Sequence, residues 1–367
     1  MNRLQQLHDA GVAIWIDFIE RTMLHDGTLA HRIADDAVTG MTSNPTIFEK
    51  ALAEGSAYDA QLRGAPANLT PPELFELLET TDVRDACDAF RAVYDASKGD
   101  DGYVSIEVSP GAAHDAKSTL VEARRLWQTV DRPNLLVKVP GTAEGAVAVR
   151  QLIAEGINVN ITLLFAIDAH DRIINAYISG LEERVKKGLP IDRLYSVASF
   201  FVSRVDSEID KRLDGLKKPE LKGKAAIANA KLAYKLFTER FSTSRWKVLE
   251  AKGGRAQKPL WASTSTKNPA YRDVMYVEQL VGPRSINTMP PATIDATRDH
   301  GDIKRTVDQH VDEARDLIAQ LESSGVSMRD VTDKLLVEGL ASFSKSFDSL
   351  IAGLEKKRGQ VGAGARP

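Results

Sequence analysis

The sequence has little cysteine and no excess of charge of either sign. Its 367 residues include one cysteine, Cys87, which excludes an internal disulfide and a zinc site built from several cysteines. Lys and Arg together number 48 against 51 Asp and Glu, and the net charge of -3 creates no field that would attract nucleic acid or acidic lipid. We therefore expect small-molecule partners, no nucleic acid, and a cytoplasmic location.

Long hydrophobic runs are missing as well. The apolar run nearest the amino terminus, residues 12–16, has only five residues. Both the core of a signal peptide and a membrane span need a longer run. The sequence therefore predicts neither export nor a membrane partner.

Motifs for metals and cofactors are also lacking. The seven histidines include no pair at helical ligand spacing with a glutamate between them, so no metal site is predicted. The first predicted strand ends at Asp17 and no glycine follows until Gly27, which argues against a dinucleotide-binding turn. Neither a phosphate-binding glycine loop with lysine nor a G-x-S-x-G elbow occurs. Catalysis without a cofactor is the simplest interpretation.

Eight short apolar or β-branched runs bounded by turn residues predict strands, and helical periodicity fills most of the gaps between them. The predicted strands are residues 13–17, 37–42, 103–108, 135–139, 157–162, 195–199, 260–263 and 285–288. The predicted helices are residues 72–96, 114–130, 143–155, 166–187 and 223–251, the first with a capping box formed by Thr70 and Glu73. This alternation favours a parallel sheet, and eight repeats favour an α/β fold of the (β/α)8 TIM-barrel type over an open sheet.

The carboxyl-terminal part exceeds what one more strand and helix need. About 80 residues follow the eighth predicted strand. We expect additional C-terminal helices, the last over residues 330–354, to pack on the outside of the barrel. Residues 1–358 are predicted to form one barrel domain with these extra helices, and the glycine-rich residues 359–367 a disordered tail.

Charged residues stand at or near the carboxyl ends of three predicted strands. Lys138 lies within LLVKV, Asp17 ends AIWID, and Glu107 lies within VSIEV. Catalytic groups of barrel enzymes occupy such positions, and a buried lysine can attack a carbonyl to form a Schiff base while carboxylates act as acid and base. The structural alternative is a lysine that reaches water or pairs with an acid, and acids that form ion pairs between strands.

Hydroxyl and amide side chains accompany these charges at the strand ends. They are Asn44, Asn160, Thr162, Ser199, Ser263, Ser265, Asn287 and Thr288. Each could instead be a helix cap or turn residue, but the group suits a sugar. Arg204 and Lys267 are the cations nearest the predicted barrel mouth, where barrels often bind phosphate, so a phosphosugar is the expected ligand.

Six segments carry a family resemblance. They are TSNPTIF, IEVSP, LLVKVPGT, NVNITLLF, SVASFFVSRVD and WASTSTKNP, in this order. Together they resemble the longer bacterial transaldolases, in the class I Schiff-base aldolase superfamily, from Gly11 to about Leu350. The resemblance implies a cofactor-free barrel enzyme, homodimeric or monomeric, of the non-oxidative pentose phosphate pathway. Such an enzyme moves a dihydroxyacetone unit from sedoheptulose 7-phosphate to glyceraldehyde 3-phosphate, giving erythrose 4-phosphate and fructose 6-phosphate.

The resemblance also assigns roles to residues. Lys138 matches the Schiff-base lysine, and Asp17 matches the acid/base that takes the proton of the C4 hydroxyl. Glu107 and Thr162 match the pair that positions the water used in making and breaking the imine. The binding positions are Asn44, Asn160 and Ser199 for the dihydroxyacetone hydroxyls, Arg204 and Ser263 for phosphate, and Phe201 for keeping water from the carbanion.

One position departs from the family pattern. Many relatives have an arginine two residues after Ser263, where this chain has Ser265, and Lys267 follows two residues later. Lys267 is expected to supply the charge, although lysine lacks the bidentate fork of arginine. Two alternatives remain: a related aldolase that releases free dihydroxyacetone, and a non-catalytic barrel that only binds sugar phosphates.

Overall fold

Eight parallel strands close into a barrel in the order in which they occur along the chain. The computed structural model describes residues 2–53 and 55–363. The strands are β1 Val12–Asp17, β2 Val38–Thr42, β3 Val104–Glu107, β4 Leu135–Pro140, β5 Val159–Leu164, β6 Ser196–Phe201, β7 Lys258–Ala262 and β8 Ser285–Met289. Each overlaps a predicted strand, and pairing of β1 with β8 closes the barrel, so the predicted (β/α)8 fold is confirmed.

Helices surround the barrel. In the described residues they are α1 Arg3–Asp9, α2 Arg21–His25, α3 Thr28–Asp35, α4 Pro45–Ala53, α5 Asp59–Gly64, α6 Pro71–Ala89, α7 Arg91–Ala96, α8 Ala116–Val130, α9 Ala143–Glu155, α10 Ile167–Lys186, α11 Ser203–Leu216, α12 Ala225–Arg240, α13 Ser244–Glu250, α14 Met275–Gln279, α15 Pro291–His300, α16 Val311–Ser323 and α17 Met328–Ala363. Short 3-10 turns cover Pro110–Ala112 and Pro219–Leu221. None of the helices described is both long enough and apolar enough to cross a membrane.

Two long predicted helices are each divided in two. The predicted helix 72–96 breaks at Phe90, which ends α6 and precedes α7. The predicted helix 223–251 breaks after α12, where the Thr243 hydroxyl accepts a hydrogen bond from the Trp246 amide and so caps α13. Such a cap starts a new helix even though the apolar periodicity continues. The capping box at the start of α6 is confirmed: the Thr70 amide donates to the Glu73 carboxylate at 2.8 Å.

The last helix does not pack only on the outside of the barrel, so that part of the prediction is wrong. Helix α17 packs against α4, α5, α6 and α11 and passes over the carboxyl end of β5. A Cβ added at Gly339 of this helix would lie 3.0 Å from the Leu163 side chain and 3.7 Å from the Arg204 guanidinium. Phe347 of α17 packs edge to face against Phe75 of α6, with the ring centroids 5.9 Å apart.

The predicted disordered tail is also corrected in part. Residues 359–363 continue α17, while residues 364–367 lie outside the described residues. Just before this point the Lys357 ammonium donates to the carbonyl of Leu52 at 2.7 Å, and Arg358 donates to that of Leu69 at 2.8 Å. These bonds tie the helix to the chain segment between α4 and α6, which glycine content alone did not indicate.

The amino-terminal end of the barrel is filled by side chains. Tyr103 and Tyr195 stack at 4.3 Å, and Trp15 donates to the Asp101 carboxylate at 2.9 Å. A Cβ at Gly40 would lie 2.6 Å from the Trp15 ring, so this strand position needs glycine. The strand ends that carry the predicted polar residues lie at the opposite, carboxyl-terminal end of the barrel.

Candidate active site

Lys138 lies near the carboxyl end of β4 and points into the barrel. Leu136, two residues earlier on the same face of the strand, belongs to the interior cluster, whereas Val137 and Val139 pack outward against the helices. The Lys138 side chain is 9% exposed, and its Nζ donates to Glu107 Oε2 at 3.0 Å and to the Ser43 carbonyl at 3.2 Å. A buried ammonium in a parallel strand is thus satisfied by a carboxylate from the neighbouring strand.

The register of the sheet explains why these two residues meet. Glu107 of β3 lies directly beside Lys138 of β4, and Lys138 lies beside Asn160 of β5. Burial raises the pKa of the Glu107 carboxyl, and the charge of Lys138 opposes that rise. A lysine that only pairs with an acid was the structural alternative to a catalytic lysine. Lys138 does pair with Glu107, but both residues also border an open cavity.

Asp17 occupies the equivalent place at the end of β1. Its carboxylate accepts a hydrogen bond of 2.7 Å from the Thr42 hydroxyl of β2, and that hydroxyl also lies 2.7 Å from the Thr288 hydroxyl of β8. Burial raises the pKa of Asp17, while the charge of Lys138 and the Thr42 hydrogen bond act in the opposite direction. A carboxyl group with a raised pKa is a stronger base when ionised.

A cavity of about 470 Å3 opens at the carboxyl ends of the strands. Ten of the eleven residues predicted for the site line it: Asp17, Asn44, Glu107, Lys138, Thr162, Ser199, Phe201, Arg204, Ser263 and Lys267. The eight strands bring these side chains together from segments that are far apart in the chain. The volume of the cavity is in the range of small-molecule binding sites.

Asn160 is the one predicted site residue that does not line this cavity, although it lies beside Lys138 in the sheet. It is fully buried, its Oδ1 accepts a hydrogen bond of 2.7 Å from the Ser199 hydroxyl, and its Nδ2 donates to the Ser105 hydroxyl at 2.9 Å. Asn160 therefore fixes the orientation of Ser199 beneath the cavity wall. Asn44 lines the cavity and also accepts from the Ile47 amide at 3.1 Å, as a cap of α4 does.

Two cations stand at the other side of the cavity. Arg204 belongs to the first turn of α11, with its guanidinium carbon 5.0 Å from the centre of the Phe201 ring. Lys267 donates to the Ser265 hydroxyl at 2.8 Å. Burial lowers the pKa of both groups, and the charge of Arg204 lowers that of Lys267 further. Arg204 is half-buried and Lys267 is exposed. Two positive charges near one helix N-terminus suit an anion such as phosphate.

Ser263 joins this cationic side through its backbone and hydroxyl. Its φ of 57° is left-handed, and its hydroxyl lies 2.9 Å from the Ser203 hydroxyl at the start of α11. The Ser203 amide also donates to the Ser263 carbonyl at 3.0 Å. These contacts tie the end of β7 to the helix that carries Arg204.

Several residues in and around the cavity were not predicted. Thr42 and the Ser43 carbonyl hold Asp17 and Lys138, and both lie in TSNPTIF at the end of β2, so the strand-end argument could have found them. The residues of α17 that line the cavity, Gly339, Ser342 and Phe343, had no such signal. Their periodicity predicted a helix but not the surface on which it lies.

Comparison with known proteins gives the family context. A model of the transaldolase/fructose-6-phosphate aldolase family matches residues 14–354. A protein of Frankia alni named transaldolase is 47% identical over 366 residues, which cover 98% of this chain and 99% of the relative. Proteins of the same name from Thermobifida fusca and Trichodesmium erythraeum are 50% and 46% identical over 353 and 370 residues. These alignments cover 95% and 97% of this chain, and 96% and 97% of the relatives.

The Thr42 hydroxyl is predicted to hold the Asp17 pKa down. In Thr42→Val the carboxylate loses a hydrogen bond to its charged form, so we expect the Asp17 pKa to rise above its value in the unchanged protein. Titration of labelled aspartate carboxyls by NMR measures this pKa. Thr39→Val is the matched control, because Thr39 lies on the same strand with its hydroxyl toward the Ile14 carbonyl. An Asp17 pKa that is unchanged or lower in Thr42→Val would contradict the assignment.

Proposed function

The chain belongs to the transaldolase/fructose-6-phosphate aldolase family and is an enzyme of the transferase class, and we propose that it transfers a dihydroxyacetone unit through an imine on Lys138. The donor is sedoheptulose 7-phosphate and the acceptor glyceraldehyde 3-phosphate, as in the non-oxidative pentose phosphate pathway. The observation that carries this proposal is a buried lysine, bonded to one carboxylate and near another, in a cavity whose other side is cationic.

Imine formation begins at Lys138. The neutral amine attacks the ketone carbon, and Glu107, at 3.0 Å from Nζ, is placed to accept the proton that the ammonium gives up. The resulting carbinolamine loses its hydroxyl as water when Glu107 returns a proton to it. Thr162 lines the same cavity, and we assign it the role of positioning that water together with Glu107. The raised pKa of Glu107 fits a group that gains and loses a proton in turn.

Cleavage of the carbon–carbon bond depends on Asp17. Its carboxylate takes the proton of the C4 hydroxyl, the bond between C3 and C4 breaks, and the electron pair passes into the imine to give an enamine on Lys138. The aldehyde product then leaves and the acceptor aldehyde takes its place. In the reverse sequence the enamine attacks that aldehyde and Asp17 returns the proton. The raised pKa of Asp17 makes its carboxylate a stronger base for this step.

The remaining residues hold the substrate at its two ends. Asn44 and Ser199 bind the hydroxyls of the dihydroxyacetone unit, with Ser199 oriented by Asn160. Arg204 and Lys267, with Ser263, bind the phosphate. The three-carbon unit therefore lies at Lys138 while the phosphate lies at the mouth.

A related aldolase that releases free dihydroxyacetone uses the same imine chemistry. The position of Phe201 favours transfer: its ring lies on the cavity wall, 5.3 Å from the ring of Phe165 and 5.0 Å from the Arg204 guanidinium. An aromatic wall without a hydroxyl offers water no hydrogen-bond partner near the enamine. A binding protein without activity has no need of a buried lysine between carboxyl groups, which is costly to retain.

Other properties of the enzyme follow from the sequence and the family resemblance. We place it in the cytoplasm, because its one cysteine, Cys87, is free and buried. A homodimer or a monomer is the expected state.

The proposed imine on Lys138 can be trapped chemically. Borohydride added together with fructose 6-phosphate should reduce the imine and leave a three-carbon adduct, which peptide mass spectrometry should locate on Lys138. Lys138→Met should give no adduct. Lys258→Met is the control and should keep it, since Lys258 lies at the amino-terminal end of β7 and bonds to Asp100. An adduct on another lysine, or none in the unchanged protein, would overturn the proposal.

Substitution of the two cations tests phosphate binding. A hydrogen bond to a charged group contributes about 1.5–3 kcal/mol, so Arg204→Ala and Lys267→Ala should each reduce kcat/KM for phosphosugars by roughly 10- to 150-fold, mainly through KM. Unphosphorylated fructose, itself a poor substrate, should be affected much less. Lys211→Ala, on the exposed side of the helix that carries Arg204, is the control. Equal losses with both sugars would show that these cations do not bind the phosphate.

A further inference from the structure

Helix α17 crosses the mouth of the barrel and is held on both sides of it. On one side the Lys334 ammonium donates to the Glu208 carboxylate at 2.7 Å, and Glu208 belongs to α11, the helix that carries Arg204. About 18 Å farther along α17, at 1.5 Å per residue, the Ser346 hydroxyl accepts from the Thr46 hydroxyl of α4 at 2.8 Å. The part of α17 between these two contacts lies over the cavity.

Three residues in this part of α17 line the cavity, namely Gly339, Ser342 and Phe343. Their spacing places them on one face of the helix. A Cβ at Gly339 would lie 3.0 Å from Cδ2 of Leu163 and 3.7 Å from Nη1 of Arg204. The second distance is an ordinary van der Waals contact. A methyl group at position 339 would therefore fill the space between α17 and the Arg204 guanidinium.

Neither the helix nor its packing requires a glycine at this position. Alanine is the better helix former. The Leu163 atom that a Cβ would approach is the end of a flexible side chain, which can move by a few tenths of an ångström. What the glycine does provide is free space beside Arg204, where α17 covers the cavity.

The two phosphosugar donors of the proposed reaction differ in the part that points toward this space. Both place C1 to C3 at Lys138, where the imine holds them. Beyond C3, fructose 6-phosphate carries a three-carbon aldehyde part and sedoheptulose 7-phosphate a four-carbon one. The longer sugar therefore extends one carbon farther toward the mouth and needs more room beside Arg204.

We propose that Gly339 is a specificity-determining residue, which leaves room for the four-carbon aldehyde part of sedoheptulose 7-phosphate and for the acceptor erythrose 4-phosphate. The inference rests on the proposed transfer reaction and deepens it, because it identifies the wall that limits the length of the sugar. Gly339 takes no part in the chemistry at Lys138 and acts only through the volume that it leaves free.

The test compares the two donors in a single turnover, with enzyme in excess over sugar. Release of glyceraldehyde 3-phosphate from fructose 6-phosphate, and of erythrose 4-phosphate from sedoheptulose 7-phosphate, gives a second-order rate constant for each donor. In Gly339→Ala the constant for sedoheptulose 7-phosphate should fall on the order of tenfold, the effect of one methyl group in a binding pocket. The constant for fructose 6-phosphate should fall by less than about twofold, because the shorter sugar does not reach the added methyl group.

A glycine farther along the same helix provides the matched control. A Cβ at Gly353 would have nothing within 4 Å, so Gly353→Ala should keep the ratio of the two constants. Gly339→Ser, which adds a hydroxyl to the same Cβ, should lower the constant for sedoheptulose 7-phosphate at least as much as Gly339→Ala. Thermal denaturation should show that all three variants are folded, since alanine and serine are better helix formers than glycine.

Two results would overturn the inference. One is an unchanged ratio of the two constants in folded Gly339→Ala and Gly339→Ser. The other is an equal loss with both donors, because a side chain that only displaced Leu163 or Arg204 would affect both sugars alike. Release of neither aldehyde by the unchanged protein would instead overturn the proposed function.

Discussion

The ion pair between Lys138 and Glu107 is the contact around which the barrel mouth is organised. A charged amine inside a parallel strand is costly unless a partner of opposite charge and further hydrogen bonds satisfy it. Here the neighbouring strand supplies a carboxylate at 3.0 Å and the end of β2 supplies a carbonyl at 3.2 Å. Both requirements depend on the register of the sheet, because β2, β3 and β4 are neighbours and must end at the same level.

The same pair sets the electrostatics of its surroundings. The positive charge of Lys138 opposes the rise that burial causes in the pKa of both Asp17 and Glu107. Two carboxyl groups can therefore share one small space. Carboxyl groups in different environments thus have different proton affinities, which is the condition for dividing acid and base roles among them.

Much of the fold could be predicted from the sequence because strands of a parallel barrel are buried on both faces and appear as short apolar runs. A lysine within such an apolar run is unusual, which identified Lys138. Asp17 and Glu107 were identified because they lie at or near the carboxyl ends of predicted strands, where catalytic groups of barrels meet. Interactions that depend on tertiary packing could not be predicted. The position of α17 over the mouth, with Phe343 in the cavity wall, depends on which helices its apolar face meets. The bond that places Asn160 under Ser199 depends on side-chain orientation.

Transfer of the three-carbon unit from a labelled donor distinguishes a transaldolase from an aldolase that releases dihydroxyacetone. Fructose 6-phosphate labelled in its first three carbons is incubated with the enzyme, with and without erythrose 4-phosphate, and the products are followed by NMR. A transaldolase should place the label in sedoheptulose 7-phosphate when the acceptor is present and give little free dihydroxyacetone when it is absent. Rapid release of labelled dihydroxyacetone without acceptor, at a rate similar to that of transfer, would contradict the proposed transfer.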